Sequence, residues 1–329
     1  MKYNILGQTG LHVSQLGFGC GSIGGLLVRG DYPAMREVVS RAIELGINYF
    51  DTAPQYGGGQ SEVNLGAVTR ELKASVLVGT KIRLRSEDMN QIGAAVTRSV
   101  EGSLRRLGRE TVDLIQLHNH IGFHRQPEED PDRVGLHDLD AVRQAFERLH
   151  QQGKIRFWGI TGLGESGAVH ETVETGGFQT IQIPYNLLNP SAGTIVPPNF
   201  SFQDYGQLID RAAQQKMGVI AIRILAGGAL SGSTERHPVA SKSVNPIASE
   251  PAYRDDVARA KRFTSLVEDG IVSNLAEAAV RFAVSKPGVS TALVGISSRD
   301  QLEQAVKYVE HGPLSVDALE HIRATWSVS

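Results

Sequence analysis

The sequence predicts an α/β fold, a closed barrel of eight parallel strands that each lead into a helix. Three observations support this prediction. Short apolar runs alternate with longer amphipathic runs along the 329 residues, and eight such pairs are present. The short runs are apolar at consecutive positions, which indicates burial on both faces and hence a parallel sheet. Eight units of roughly 30–40 residues match one (β/α)8 TIM barrel in number and length.

The predicted strands are short and rich in Val, Ile, Leu and Phe. They occupy residues 15–19, 48–51, 75–81, 112–118, 155–161, 178–183, 219–225 and 290–296. In a parallel barrel, the carboxyl ends of all eight strands meet at one rim, where barrel enzymes carry their chemistry. The residues at these strand ends are therefore the first candidates for a functional site.

The predicted helices follow the strands and have apolar residues at helical spacing. They occupy residues 34–46, 61–72, 91–108, 138–153, 167–176, 202–218, 274–288 and 298–309. Gly46 and Gly108 are expected to end the first and third helices, because glycine adopts the left-handed conformation that closes a helix. Ser61 is expected to cap the second helix through its hydroxyl.

Two segments lie outside these eight units. A hairpin is predicted around Gly7–Gly10, covering the floor of the barrel. Residues 226–252 form a long loop rich in Gly, Ser and Pro after the seventh strand, and loops of that length are usually functional. An open doubly wound sheet is the alternative fold, but the glycines of "GFGCGSIGG" lack the spacing of a dinucleotide-binding turn. Residues 1–329 are therefore predicted to form one barrel domain.

Composition argues against several classes of function. The net charge is −2 with 33 basic and 35 acidic residues, and no basic patch is evident in the sequence, so no nucleic-acid partner is expected. No run of about 18 apolar residues occurs, so no membrane association is expected. The start of the chain does not resemble a signal peptide. A lone cysteine, Cys20, fits the reducing cytoplasm and is expected to be a small buried residue.

Four ionisable side chains follow three neighbouring predicted strands. Asp51 ends the second strand and Tyr56 lies in the loop after it, Lys81 ends the third strand, and His118 ends the fourth. Each alone has an ordinary structural explanation, such as capping a helix or packing in a loop. Because neighbouring strands of a parallel barrel end side by side, the four are expected to face one mouth.

This combination suits proton exchange with a carbonyl oxygen. A tyrosine hydroxyl has a pKa near 10 in water, which is too high for efficient proton exchange at neutral pH. A lysine ammonium beside a tyrosine favours the phenolate, and an aspartate beside the lysine holds it in place. A histidine can donate a hydrogen bond to a carbonyl oxygen. Because no side chain supplies hydride, the matching reduction requires a nicotinamide cofactor.

The segments "GINYFDTAPQYG", "VGTK" and "VDLIQLH", which carry these four residues, resemble the aldo-keto reductase superfamily. The resemblance covers essentially the whole chain. Shorter matches at "GITGL", "HPVAS" and "LVGISS" are most similar to the galactose-dehydrogenase-type sugar dehydrogenases. The resemblance implies that Tyr56 is the general acid or base, that Lys81 tunes it, that Asp51 pairs with Lys81, and that His118 orients the carbonyl.

The resemblance also implies an NAD or NADP site at the rim. Gln182 is expected to bond the nicotinamide carboxamide, and glycines of the loop at 226–232 allow close approach to the pyrophosphate. The start of the eighth helix is expected to line the adenosine phosphate region, since a helix N-terminus attracts anions. The full set of expected cofactor contacts is Thr161, Gln182, Arg223, Leu225, Gly227, Gly295, Ser297, Ser298, Arg299 and Gln301.

Several positions depart from the common family pattern. Thr161-Gly162 replaces a Ser-Asn pair, and Ile222-Arg223 replaces an aromatic and a small polar residue, so Arg223 is expected to reach the pyrophosphate or to pair with an acid. Ser297 stands where a basic residue often binds the 2′-phosphate, although Arg299 lies two residues on. Without a basic residue at that position, the preference for the phosphorylated cofactor is expected to be weaker, so NAD is slightly favoured.

The substrate and two other functions stay open. Polar loops at 21–33, 119–138 and 226–252 suit a sugar oxidised at C1, and a small aldehyde is the alternative. The protein is expected to be a monomer or small homo-oligomer. One alternative function is a cofactor-sensing regulatory subunit. Another is a metal-dependent barrel hydrolase using the H-x-H pair of His118 and His120, although a metal site needs three or four converging ligands.

Overall fold

A computed structural model describes residues 1–327 and contains the predicted closed barrel of eight parallel strands. The strands are β1 Leu16–Gly19, β2 Tyr49–Asp51, β3 Leu77–Ile82, β4 Val112–Leu117, β5 Ile155–Thr161, β6 Thr180–Pro184, β7 Gly218–Ile222 and β8 Val289–Gly295. Each pairs with the next strand along the chain, and β8 pairs with β1 to close the ring. The fold predicted from the sequence is confirmed.

Helices surround this barrel. The α-helices are Leu26–Arg29, Tyr32–Glu44, Gln60–Glu71, Ile92–Leu107, Leu139–Gln151, Ser166–Thr175, Leu208–Gln214, Tyr253–Ala260, Ser265–Glu268, Leu275–Ser285, Arg299–Glu310 and Val316–Ser327. Short 3-10 helices occupy Gly7–Thr9, Tyr56–Gly59, Ser86–Asp88, Leu136–Asp138, Ala226–Ser231 and Lys261–Phe263. An additional short parallel pair joins Ile121–Gly122 to Val134–Gly135 in the loop after β4.

The hairpin predicted at the start of the chain is present. Strand Tyr3–Ile5 pairs antiparallel with His12–Ser14, and the turn between them is the 3-10 helix Gly7–Thr9. Its inner side chains pack beneath the barrel with residues from four strands, forming a second apolar cluster of Leu6, Leu11, Val13, Tyr49, Leu114, Ile220 and Leu293. The hairpin therefore closes the amino-terminal end of the barrel and leaves the opposite rim as the mouth.

The ends of the first and third long helices follow from local sequence. Helix Tyr32–Glu44 begins after Asp31, whose carboxylate accepts a hydrogen bond from the Ala34 N–H. Helix Ile92–Leu107 ends at Gly108, whose φ of 62° is the left-handed conformation expected of a helix-closing glycine. Both the capping acid and the closing glycine are visible in the sequence.

The sequence prediction was wrong at two helices. Ser61 does not cap the second one, because helix Gln60–Glu71 begins directly after Gly59, and the Ser61 hydroxyl instead donates to the Cys20 carbonyl at 2.8 Å. The helix predicted over 202–218 is only Leu208–Gln214. Its predicted first turns are replaced by an irregular segment in which Gln207 has φ 57° and Tyr205 is buried.

Candidate active site

Asp51 and Lys81 form a buried ion pair inside the mouth of the barrel. Asp51 ends β2 and lies opposite Gly79 of β3, so Lys81 lies two residues further along β3 on the same side. The Lys81 ammonium donates to Asp51 Oδ1 and, at 2.8 Å, to the Thr52 carbonyl. The exposed fractions of the two side chains are 1% for Lys81 and 6% for Asp51. Adjacent parallel strands thus bring together two residues that are 30 positions apart.

The Asp51 carboxylate is held from further directions. Its Oδ2 accepts a hydrogen bond from Gln182 Nε2 at 2.6 Å and one from the Tyr49 hydroxyl at 3.2 Å. Gly79 makes room for Tyr49, because a Cβ at position 79 would overlap the Tyr49 hydroxyl. The carboxylate therefore has one orientation, which fixes the Lys81 ammonium in turn.

The pKa of Lys81 is raised above its ordinary value. Burial disfavours the ammonium, but the neighbouring Asp51 carboxylate and the Tyr56 side chain favour it more strongly. Lys81 is thus a permanent positive charge at neutral pH.

Tyr56 lies directly against this charge. The centroid of its ring is 4.9 Å from the Lys81 ammonium nitrogen. Tyr56 begins a 3-10 turn in which Gly57 and Gly58 have φ values of 62° and 63°, a conformation that costs little only for glycine. The glycines after Tyr56 therefore let the chain turn sharply between β2 and the next helix while the tyrosine faces the mouth.

His118 completes the group. It follows β4, and its backbone N–H donates to the Ile82 carbonyl at 2.8 Å. Its ring centroid lies 6.2 Å from that of Tyr56, with the rings at 89° to each other. Burial, with the positive charges of Lys81 and Arg83, lowers the pKa of His118 to about 3. His118 is therefore a neutral imidazole at neutral pH, and its Nδ1 is buried without a hydrogen-bond partner among residues 1–327.

The structure thus brings together the four residues that the sequence singled out. It also shows two supports that the sequence argument did not identify. Tyr49 lies two positions before Asp51, so the two-residue period of a strand was a usable signal for it. Glu62 is fully buried beneath β3, where it accepts hydrogen bonds from the Thr80 hydroxyl at 2.5 Å and from Arg106 at 2.6 Å. Thr80 directly precedes Lys81.

Of the predicted cofactor contacts, Thr161 and Gln182 lie side by side in the barrel wall, opposite each other on β5 and β6. The Thr161 hydroxyl donates to the Leu117 carbonyl at 3.0 Å, so its hydrogen is already used within the barrel. Gln182 uses a side-chain N–H toward Asp51. Both residues are buried, with exposed fractions of 1% for Thr161 and 2% for Gln182.

Arg223 follows β7 and is a half-buried cation near Tyr56. Burial lowers the pKa of its guanidinium, and nearby Tyr56 and Asp256 oppose that shift. Its side chain donates to the Asn245 carbonyl at 3.3 Å, and no ion pair of Arg223 lies within the described residues. Leu225 begins the turn that follows, in which Gly227 has a φ of 69°. The end of β7 therefore carries the positive charge of Arg223, which has no ion pair within the described residues. It is followed by a turn whose left-handed conformation glycine allows.

The turn after β8 is closed by its own hydrogen bonds. Gly295 ends β8, and Ser298 caps helix Arg299–Glu310 by accepting from the Gln301 N–H at 3.3 Å. The Ser297 hydroxyl donates to the Gly24 carbonyl at 2.7 Å, and its N–H donates to the Gln301 side chain at 3.0 Å. The amino-terminal, partly positive end of this helix therefore faces the mouth.

The Arg299 guanidinium forms ion pairs with two carboxylates of the protein. Its guanidinium lies 2.8 Å from Glu37 and 3.0 Å from Glu303, and these contacts raise its pKa. The sequence left open that Arg299 replaces the missing basic residue of the family. The geometry gives that guanidinium two acidic partners.

The H-x-H pair does not converge on a shared site. His120 is exposed and its Nδ1 lies 2.8 Å from Asp130, whereas His118 faces Tyr56. Across residues 1–327, no group of three or more His, Cys, Asp or Glu side chains is placed to hold a metal ion. Within the same residues, no helix is both long and apolar enough to cross a membrane.

Known proteins resemble this chain over most of its length. A model described as Aldo/keto reductase family matches residues 15–327. The chain is 30% identical to L-galactose dehydrogenase of Arabidopsis thaliana, over 94% of this chain and 88% of that protein. It is 27% identical to a putative voltage-gated potassium channel subunit beta of Schizosaccharomyces pombe, over 94% and 88% respectively. The solved holo form of aldo-keto reductase AKR11C1 from Bacillus halodurans has a TM-score of 0.70 and 27% identity, covering 99% of this chain and 96% of that one.

Proposed function

Because the chain belongs to the aldo/keto reductase family, we propose that it is an NAD(P)-dependent oxidoreductase that interconverts a carbonyl and a hydroxyl group at the mouth of the barrel. The observation that carries the proposal is the contact of Tyr56 with the buried Lys81 charge, 4.9 Å from ring centroid to nitrogen. A tyrosine beside a fixed cation is suited to exchange a proton with a substrate oxygen.

In the proposed mechanism, each of the four residues has a separate task. A nicotinamide nucleotide supplies or accepts the hydride when bound. The Tyr56 hydroxyl gives its proton to the carbonyl oxygen in reduction and takes it back in oxidation. Lys81 stabilises negative charge on the Tyr56 oxygen, and Asp51 holds Lys81 in place. His118, a neutral imidazole at neutral pH, orients the substrate oxygen by donating a hydrogen bond from its ring N–H.

The residues around the mouth fit a nucleotide. Arg223 is a half-buried cation without an ion pair among the described residues, so a bound pyrophosphate would offset the cost of burying its charge. The helix that begins at Arg299 has its partly positive amino-terminal end at the same rim. We assign Arg223 and Gly227 to the pyrophosphate, and Gly295, Ser297, Ser298 and Gln301 to the adenosine side.

We further propose a preference for NAD over NADP. The family generally uses the phosphorylated cofactor, but here Arg299 is paired with Glu37 and Glu303. A 2′-phosphate would have to displace those carboxylates, because like charges at such distances repel. The ratio of kcat/KM with NAD to kcat/KM with NADP measures this preference. The double variant Glu37→Gln/Glu303→Gln is expected to move the ratio toward NADP.

The proposed substrate is an aldose oxidised at C1, with a small aldehyde as the alternative. The similarity to L-galactose dehydrogenase favours the aldose. The loop after β4 adds support, since its polar side chains are held by partners within the protein. Arg133 lies 2.8 Å from Glu165, and the His120 ring lies 2.8 Å from Asp130. A loop held in this way presents a fixed polar wall, which suits a ligand with many hydroxyl groups.

The test is a screen of aldoses and small aldehydes with both nucleotides, following the absorbance of the reduced cofactor. Turnover of at least one aldose with NAD is the expected result. Turnover of aldehydes alone would replace the sugar assignment with the aldehyde one. Nucleotide binding without turnover in either direction would favour a cofactor-sensing subunit instead, a role consistent with the similarity to a channel beta subunit.

A further inference from the structure

The floor of the barrel carries a second polar cleft, at the end opposite the mouth. Its volume is about 760 Å³, and it lies between the hairpin and the amino-terminal ends of β3, β4 and β5. Its lining is mostly polar and comprises Gly10, Leu11, His12, Asn48, Lys73, Ala74, Ser75, Val76, Leu77, Arg109, Thr111, Asp113 and Arg156. None of these positions was expected to bind anything from the sequence.

Permanent positive charges outnumber negative ones in this cleft. Lys73, Arg109 and Arg156 line it together with a single carboxylate, that of Asp113. The whole chain, in contrast, has a net charge of −2. The cleft is therefore a local concentration of positive charge on a slightly acidic protein, and such a concentration attracts anions.

Both oxygens of the Asp113 carboxylate already have partners within the protein. Its Oδ2 accepts the Val78 N–H at 2.9 Å, and its Oδ1 lies 2.6 Å from the Arg156 guanidinium. Arg109 is more distant, 3.7 Å from the same carboxylate. Asp113 therefore orients the two arginines without neutralising both.

Arg109 and Lys73 are the least compensated of the three cations. Arg109 is partly buried, and burial lowers the pKa of its guanidinium although Asp113 opposes this. Its remaining contacts are two long hydrogen bonds to the Val76 carbonyl, at 3.3 and 3.4 Å. Lys73 is exposed, and no ion pair of its ammonium lies within the described residues.

From this arrangement we propose that the floor cleft is a binding site for a small polyanion, a molecule carrying phosphate or carboxylate groups, held by Lys73, Arg109 and Arg156. The two arginine forks grip oxygens of the anion in pairs, as guanidinium groups do with phosphate and carboxylate. Lys73 adds a point charge at the outer edge. The site is separate from the proposed nucleotide site, because it lies at the other end of the same strands.

The experiment is isothermal titration calorimetry at constant ionic strength, with inorganic pyrophosphate as one probe and citrate as the other. Saturable binding is expected, and Arg109→Gln and Lys73→Glu are each expected to weaken it at least tenfold. Lys73→Glu is expected to fold normally, because this exposed side chain forms no ion pair within the described residues. Weaker binding in this variant therefore reports on the site and not on misfolding. The tighter of the two probes identifies phosphate or carboxylate as the recognised group.

Two further variants locate the binding. Arg223→Gln, at the mouth, is expected to weaken pyrophosphate binding at the proposed nucleotide site but to leave the affinity of the floor site unchanged. Lys307→Gln, which removes one exposed positive charge elsewhere on the surface, is expected to leave the affinity of the floor site unchanged as well. Loss of binding in Arg223→Gln with retention in the floor variants would overturn the proposal, because the anion would then occupy the mouth. Absence of saturable binding, or equal weakening by Lys307→Gln, would also overturn it.

Discussion

The mouth and the floor of this barrel are built on the same strands but differ in how their charged side chains are buried and paired. At the mouth, one lysine meets one aspartate, and the exposed fractions of the two side chains are 1% and 6%. At the floor, three cations line a cleft that contains one carboxylate, that of Asp113, and the exposed fraction of the Arg156 side chain is 48%. The Asp51–Lys81 pair at the mouth is balanced and buried, whereas the floor cleft has an excess of positive charge in contact with water.

The difference follows from the cost of burying an ion. A buried charge is tolerated only when a partner and hydrogen bonds compensate it, so Asp51 and Lys81 are fixed by Gln182, Tyr49 and the Thr52 carbonyl. At the floor, water compensates the exposed Lys73 and Arg156 side chains, so these cations depend less on fixed partners. A rigid, neutralised pair suits a reacting centre, whereas an unneutralised open cleft suits a ligand that arrives and leaves.

The largest effect is expected from Tyr56→Phe at the mouth. The change keeps the ring and removes the hydroxyl that exchanges the proton, so turnover should fall about 10²–10⁴-fold while nucleotide binding stays near normal. Steady-state rates and a fluorescence titration with nucleotide measure the two quantities. The control is Tyr3→Phe on the floor hairpin, which removes an exposed hydroxyl that donates to the Gly46 carbonyl. Full activity in Tyr56→Phe would remove this residue from the mechanism.

The next largest effect compares one ion pair from each end. Lys81→Met leaves the Asp51 carboxylate buried and uncompensated, and should lower the free energy of unfolding by about 3–5 kcal/mol. Arg156→Gln removes a half-exposed guanidinium, and Asp113 keeps the Val78 N–H and Arg109 as partners, so the loss should be about 0–1 kcal/mol. Urea denaturation at neutral pH measures both. Equal losses would contradict the contrast between a buried mouth and an open floor.

The same pair predicts a dependence of stability on alkaline pH. Burial lowers the Lys81 pKa, but Asp51 and Tyr56 raise it by more, so the folded protein binds this proton more tightly than the unfolded chain. That contribution is complete below the unfolded lysine pKa of about 10.4 and is lost as pH rises through the higher folded-state pKa. Urea denaturation from about pH 8 to 11 should therefore show a steeper loss for the wild type than for Lys81→Met.

A smaller effect compares one glycine from each end. Gly57 has a φ of 62°, and a Cβ there would lie 2.6 Å from Val28 Cγ1. Gly10 has a φ of 68° with nothing within 4 Å of its Cβ position. Gly10→Ala should cost about 1–2 kcal/mol from backbone conformation alone, and Gly57→Ala about 1–3 kcal/mol more from the close contact. Thermal unfolding of the two variants would contradict this order if Gly10→Ala were the less stable.

The barrel and its mouth were predictable because each depends on short-range patterns. Apolar strand runs fixed the positions of Asp51, Lys81 and His118, and parallel closure then placed those strand ends side by side. The failures arose where tertiary contacts decide. Ser61 lost its capping role to the Cys20 carbonyl, and the helix over 202–218 gave way to a segment holding a buried Tyr205.

The partners of charged residues could not be predicted for the same reason. Arg299 meets Glu37 from a distant helix, a contact that no local spacing indicates. The floor cleft combines Lys73, Arg109 and Arg156, which are scattered over more than eighty positions and form no basic run. These charged residues come together only when the barrel folds, so the floor cleft could be identified only from the structure.

The most direct test of hydride exchange at the mouth is a single turnover with a small aldehyde and reduced nucleotide that carries deuterium at its transferable position. Transfer of the deuterium to the former carbonyl carbon of the aldehyde, in the alcohol product, is the predicted result. Binding of the labelled nucleotide without transfer of deuterium to any aldehyde or, in the reverse direction, from any aldose would contradict the proposed reaction.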